Sequence, residues 1–232
     1  MVSGEDIWAF ASTEPNGGSD LGSMTTTAVE TDDGWVINGT KTWITNATVG
    51  RPALIWAWTD KEQGLGKGTS VFIVDLRSPG VSTSRIEELG LACSNCGEIA
   101  FSDVKIPKDS MLGNRGDGVG MLLMGVLINT RLIAGTRALS TIRACLEDCV
   151  NLVKERRKAG QKVGNFQAIQ SKIAEMSTDY EAGKLLIYQA AANKDRGIQD
   201  AAEGQTAKYF CCVSAVKVAE MAAEIYAHYG IT

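Results

Sequence analysis

Near Gly113–Gly118 the spacing of apolar residues changes period, and no other feature of the sequence constrains the fold as strongly. Before that point the chain reads as short strands at Ile7–Thr13, Met24–Thr31, Trp35–Asn38, Thr40–Thr45, Ala53–Thr59, Ser70–Leu76, Val81–Arg85 and Glu98–Val104. They are rich in Val, Ile, Thr and Trp and are separated by Gly, Asp, Asn and Pro, a pattern that predicts a barrel or sandwich rather than a parallel sheet. After it, no proline interrupts Val119 to Lys158, and Leu132, Leu139, Ile142, Leu146 and Val150 recur at mostly three- and four-residue spacing. That spacing predicts one long amphipathic helix. A second is expected from about Phe166 to Lys194, with Ile169, Ile173, Met176 and Tyr180 on one stripe, and a third from about Asp200 to Tyr229. The expected fold class is α+β and multidomain: a β-barrel or sandwich over residues 1–114, then an α-helical bundle over 115–232.

Charge and composition narrow the function classes. A net charge of −4 supplies no electrostatic footprint for nucleic acid or an anionic membrane surface. No uninterrupted apolar run approaches the roughly 20 residues that span a bilayer, so no membrane is expected. The single histidine, His228, argues against a Ser-His-Asp enzyme and most zinc hydrolases. Six cysteines, at 93, 96, 145, 149, 211 and 212, are scattered rather than framing a small loop-rich fold, which favours reduced thiols. The Cys93-Ser94-Asn95-Cys96 pair has no second pair or neighbouring imidazole and makes a poor zinc site, so no metal ligand is named. The glycines of Asp60–Gly68 read as a solvated hairpin loop rather than a phosphate cradle, because no helix follows them.

Two stretches carry more information. In Phe10-Ala11-Ser12-Thr13-Glu14-Pro15-Asn16-Gly17-Gly18-Ser19-Asp20 an apolar strand runs into a proline and then two glycines, a loop able to approach a flat or phosphorylated ligand. In Asn38-Gly39-Thr40-Lys41-Thr42-Trp43-Ile44-Thr45-Asn46 a turn is expected at Asn38-Gly39, followed by a strand presenting hydroxyls and an aromatic. Together they closely resemble the flavin-binding signatures of the acyl-CoA dehydrogenase family, T-E-P-x-x-G-S-D and N-G-x-K-x-W-I-T. Phe101-Ser102-Asp103-Val104-Lys105-Ile106-Pro107, continuing through Leu112 to Gly118, is similar to that family's crossing into its C-terminal helices.

The resemblance implies an FAD-dependent acyl-CoA dehydrogenase that removes an α-proton from an acyl thioester and passes the β-hydride to flavin N5. It implies flavin contacts from Phe10, Ser12, Thr13, Gly18, Ser19, Trp43, Ile44 and Thr45, with Ser19 also reaching the acyl-CoA chain. Ile128-Asn129-Thr130-Arg131 resembles the segment that holds the CoA nucleotide, so Asn129, Thr130 and Arg131 are the implied substrate contacts. Glu155-Arg156-Arg157-Lys158-Ala159-Gly160, followed by Phe166-Gln167, resembles a segment in which Arg156 and Gln167 reach a neighbouring subunit's FAD; Ala159 stands where relatives carry phenylalanine. The family places its catalytic glutamate either at the position of Thr130 or shortly after a G-G-x-G segment resembled imperfectly by Ala227-His228-Tyr229-Gly230. The base is thus expected just past Thr232, and no catalytic residue is named. The family's N-terminal helical domain is expected to be absent from this chain. Further implications are a homotetramer and electron transfer to an electron-transferring flavoprotein. The composition suits both bacterial cytoplasm and mitochondrial matrix; the cytoplasm is expected because no transit-like segment is visible, with the matrix as the alternative. Open alternatives are a dehydrogenase acting on a carrier-protein thioester, a reductase or oxidase on the same fold, and a non-catalytic flavin- or CoA-binding subunit.

Overall fold

The computed structural model describes residues 3–91, 93–198 and 201–231. The expected helix start at Asp200 and the terminal Thr232 lie outside these. The chain divides into two compact units, Met1–Leu123 and Met124–Thr232.

The first unit contains β1 (Ala9–Ala11), β2 (Thr27–Thr31), β3 (Gly34–Thr45), β4 (Pro52–Trp58), a short helix α1 (Gly64–Gly68), β5 (Thr69–Asp75), β6 (Val81–Arg85), β7 (Cys96–Pro107), β8 (Met111–Leu112) and the helical turn α2 (Gly118–Gly120). The strands form one sheet in the order β6-β7-β3-β2-β4-β5-β8, with β1 beside β4. β1 and β2 meet β4 in parallel, and the remaining pairings are antiparallel. Two strands separate β3 from β5 in that order, which in a flat sheet would hold them roughly 14 Å apart. Yet the rings of Trp35 on β3 and Phe72 on β5 lie with centroids 5.1 Å apart. The sheet therefore folds over its own inner face. Ile37, Ile55, Phe72, Val74, Ile99 and Val104, all fully buried, fill that face, each contributing about 1.5–3 kcal/mol by the usual burial scale.

Two expectations are corrected here. Asn38-Gly39 is not a hairpin turn: β3 runs unbroken through it, and the β2–β3 turn lies at Asp32-Asp33, where Thr31 pairs with Gly34. The Asn38 side chain bonds across to Asp103 instead, its Nδ2 donating to Asp103 Oδ1 at 3.0 Å and its Oδ1 accepting from Asp103 N at 2.8 Å. Asp60–Gly68 does connect β4 to β5, but it is not a plain loop. Asp60 caps a 3-10 turn through Glu62 N, and α1 follows, with Gly68 buried.

A π-helical segment, Met121–Leu127, begins in the last residues of the first unit and leads into α3 (Ile128–Glu155) of the second. A two-residue hairpin, β9 (Arg157–Lys158) and β10 (Gln161–Lys162), follows, then α4 (Gln167–Asp195) and α5 (Ala201–Tyr226). The hairpin, absent from the sequence-based reading, turns on Ala159 and Gly160 at φ 50° and 81°. The buried seam of α3 runs through Gly135, Leu139, Ile142, Cys149 and Val153 rather than through Val150. It packs with Met176 of α4 and Val218 and Ile225 of α5. At Gly135 the helices approach so closely that an added Cβ would sit 2.9 Å from Ile187 Cδ1 and 3.1 Å from the Lys208 Cα. Burial pushes the Cys149 thiol up to about 11, as expected for a small core hydrophobe rather than a reactive group.

The run Gly118–Glu155 also corrects the absence of any membrane-length segment, because by length and composition alone it is apolar enough to cross a bilayer. Counting uninterrupted apolar residues missed it because Asn129, Thr130 and Arg131 break the run. Leu139, Ile142, Cys149 and Val153 of the same helix are buried within the helical unit.

Candidate functional site

In the first unit, one end of β3 and the loop after β1 come together. The amide of Thr42 donates to the Thr13 carbonyl at 3.0 Å. Against β7 the register of β3 shifts between Lys41 and Ile44. Trp43 takes a left-handed backbone, φ 59°, and is 62% exposed. For a bulky residue that conformation costs on the order of 1–3 kcal/mol and persists only where the surroundings enforce it. The bulge breaks strict alternation: Lys41, Thr42 and Ile44 are all buried, whereas Trp43 and Thr45 face out.

Beneath this wall lies an ion pair with both side chains fully buried. Lys41 Nζ donates to Glu14 Oε1 at 2.8 Å and to the Ser12 carbonyl at 3.2 Å. Glu14 also accepts from Thr25 N and Thr25 Oγ1, each at 2.6 Å, and from Thr26 N at 3.0 Å. Burial alone would raise the Glu14 carboxyl, but the Lys41 charge and the hydrogen bonds from Lys41, Thr25 and Thr26 outweigh it and hold the group at about 2. Burial brings Lys41 down to about 8 against the pull of Glu14. Both groups are thus charged at neutral pH. Because the folded carboxyl lies below its ordinary value of 4.5, its contribution is complete above that value and is lost as pH falls towards about 2. Chemical denaturation between about pH 6 and pH 2 is expected to show roughly 3 kcal/mol of stability disappearing through this group. In Glu14→Gln that part of the slope should vanish.

The implied flavin contacts are distributed as follows. Phe10 is half-buried, its ring centroid 4.6 Å from that of Trp56. Ser12 and Thr13 are half-buried on the loop, and Gly18 and Ser19 are exposed, Gly18 so near Thr13 that an added Cβ would meet Thr13 Cγ2 at 3.3 Å. Trp43 and Thr45 stand exposed on one face. The Ile44 side chain is in the core, 2% exposed, and can offer a ligand only its backbone. An outward-facing indole beside hydroxyls and open glycine backbone fits a flat heteroaromatic ring with polar edges, so these residues are chemically suited to the flavin of FAD.

The second unit holds two further patches. Arg156 donates to the Tyr226 carbonyl at 3.2 Å and lies 5.7 Å from the centre of the Tyr229 ring. With Arg157, Lys158, Phe166 and His228 it lines a cleft of about 690 Å³ that also holds Glu224 and Ile225, and its basic and apolar lining suits a phosphate next to a ring. Gln167 is exposed at the start of α4, between the lining residues Phe166 and Ala168. Arg131, half-buried, shares a smaller cleft of about 370 Å³ with Gln205, Lys208 and Tyr209, and among the described residues neither cation forms an ion pair. Asn129 does not point there. Its Nδ2 donates to the Gly125 carbonyl at 2.8 Å and its Oδ1 accepts from Lys194. Thr130 is exposed, with its hydroxyl directed to the Leu127 carbonyl at 3.4 Å. Lys208 went unnoticed in the sequence because a lone lysine in a helix ordinarily marks a solvated face.

The profile of the acyl-CoA dehydrogenase middle domain matches residues 9–104, and that of the acyl-CoA dehydrogenase C-terminal domain matches 116–232. The chain belongs to the acyl-CoA dehydrogenase family. Glutaryl-CoA dehydrogenase of Desulfococcus multivorans is 39% identical over 99% of this chain and 59% of its own length. The CarC subunit of the caffeyl-CoA reductase–Etf complex of Acetobacterium woodii is 37% identical over 99% of this chain and 60% of its own. The solved butyryl-CoA dehydrogenase of Megasphaera elsdenii superposes with a TM-score of 0.95 at 33% identity, covering 100% of this chain and 60% of that one. The chain thus spans about three fifths of the length of these acyl-CoA dehydrogenase relatives.

Proposed function

We propose that this chain is the flavin-binding part of an FAD-dependent acyl-CoA dehydrogenase that desaturates an acyl-CoA thioester between Cα and Cβ. The observation that carries this reading is the outward Trp43, held in a left-handed backbone beside Thr13 and Thr45. When bound, the flavin would accept the hydride from the β-carbon. The chain's own residues do the rest. Trp43 provides a flat wall, the Thr13 and Thr45 hydroxyls offer donors to a polar ring edge, and fixed donors in a dry site favour charge arriving on the ring. Arg131 and Lys208, which form no ion pair among the described residues, supply cations for the phosphates of CoA, and the Arg156 cleft suits the nucleotide end of a dinucleotide. Exposed apolar residues on α4 and α5, among them Leu185, Tyr188, Tyr209, Val213 and Val216, support assembly with further copies as a homotetramer. An electron-transferring flavoprotein is the proposed electron acceptor. Near-equal identity to a relative named as a reductase supports, as a second reading, the same hydride geometry run in the opposite direction.

The test is an absorbance spectrum of the purified protein with FAD, followed by anaerobic titration with glutaryl-CoA, butyryl-CoA and an aryl-acrylyl-CoA. Flavin bands that bleach with a saturated thioester support the dehydrogenase. Photoreduced flavin that reoxidises only with the unsaturated one supports the reductase. A protein that takes up no FAD overturns both.

A further inference from the structure

We propose that Lys41 and Glu14 are positioning residues for the flavin wall: their buried ion pair clamps the Ser12–Glu14 loop to the bulged Lys41–Ile44 segment and so fixes Trp43 against Thr13. This rests on the flavin reading above and extends it to two residues that cannot touch the ring.

Both side chains are wholly buried, so neither reaches the face on which Trp43 and Thr45 stand. What they do reach is backbone on either side of it. Lys41 holds the Ser12 carbonyl, one residue before Thr13, while the next residue in β3, Thr42, holds the Thr13 carbonyl. Glu14, one residue after Thr13, is in turn anchored to Thr25 and Thr26 as β2 begins. Thr13 is therefore gripped before and after by one connected network, and Trp43 is gripped between Thr42 and the core residue Ile44. The left-handed Trp43 needs such enforcement, because a relaxed bulge would return it to an ordinary strand conformation and turn its indole elsewhere. An apolar pair of similar volume would fill the space, but it would provide none of the directional bonds to the Ser12 carbonyl and the Thr25 and Thr26 amides.

The decisive variant is the double replacement Lys41→Met/Glu14→Leu, which removes both charges at once and leaves the cavity filled. Circular dichroism and a melting temperature within a few degrees of wild type establish that it is folded. FAD dissociation constants and acrylamide quenching of Trp43 in the FAD-free protein, isolated by difference from Trp43→Phe in each background, are then compared. Positioning predicts a rise in Kd of about tenfold or more, as when a supporting residue behind a ligand contact is lost, together with altered Trp43 quenching. A folded double variant with wild-type FAD affinity and wild-type quenching overturns the proposal. Should the double variant not fold, Thr25→Val removes one hydroxyl bond to Glu14 at an exposed position; it is expected to weaken FAD binding about threefold, less than the roughly tenfold that full loss of a hydrogen bond to a charged group costs, because Glu14 keeps its bonds from Lys41 and from the Thr25 and Thr26 amides, and unchanged affinity overturns the proposal. A wild-type protein that binds no FAD defeats the flavin reading, while altered Trp43 quenching in the variant would still uphold the clamp.

Discussion

Gly39→Ala is expected to cost roughly 4 kcal/mol of stability, more than an alanine in an extended strand has any general reason to cost. Gly39 sits at φ +144°, and a Cβ there would lie 2.4 Å from Thr26 Oγ1 and 2.7 Å from the Thr26 Cα. Thr26 cannot retreat, because its amide is bound by Glu14 and its carbonyl accepts from Trp58 N at 2.8 Å. The strand would have to move instead. Backbone strain of about 1–3 kcal/mol adds to overpacking of similar size. The control is Gly66→Ala in α1, where no atom lies within 4 Å of the added carbon; it should be neutral or stabilise by up to about 1 kcal/mol. Urea midpoints of the two variants decide the matter, and equal midpoints would show that β3 does not depend on the close approach to Thr26.

Gly39 also shows where the sequence was legible and where it was not. Asn38-Gly39 has the chemistry of a hairpin turn and sits between two strand-like runs, so local reading puts a turn there. What decides against it is not local. The Asn38 amide is engaged by Asp103, 65 residues away, and the glycine is needed for the approach of Thr26. Strands such as β4 and β5 were readable from their own apolar and aromatic content and the turns that bound them, whereas the two-residue β8, β9 and β10 carry too little pattern to be found. The order in which the strands pair was not readable, since nothing in a strand's composition names its neighbour. In the helical unit the expected stripe shares Leu139, Ile142 and Met176 with the buried seam, and what it left out are Gly135, Gly183 and Cys149, whose small size lets helices approach.

The candidate site divides in the same way. Motifs marked Thr13, Trp43 and Thr45 as a set, and the structure holds the loop of the first beside the strand of the other two. Ile44 lay within the same motif, but strand geometry sends its side chain into the core. Glu14 and Lys41 also lie inside the quoted motifs, but nothing in the sequence assigned either of them a role. Only their burial and their 2.8 Å contact across 27 residues reveal a structural pair.

That pair leads to the second large effect. Lys41→Met alone is expected to destabilise the protein by roughly 3–5 kcal/mol, the usual cost of removing one partner from a buried ion pair. The loss comes less from the missing attraction than from the carboxylate left behind. Glu14 would keep its bonds from Thr25 and Thr26, but at neutral pH it would be a buried anion with no cation, and burial, no longer opposed by the Lys41 charge, would be expected to carry its carboxyl above the ordinary value of 4.5. The variant should therefore recover part of its stability on mild acidification, where the wild-type protein begins to lose its own. Replacing both residues, in Lys41→Met/Glu14→Leu, removes the stranded charge and should return most of the loss, because apolar side chains of similar volume often match a buried pair in stability. Denaturation of the two single variants and the double variant, near neutral pH and near pH 4, completes the cycle. If the single Lys41 variant is as stable as the double at both pH values, the pair is not coupled, and its burial beneath Trp43 would need another explanation. If the double is stable but the single is not, charge at this position is dispensable for folding and its presence must be explained by what it holds in place.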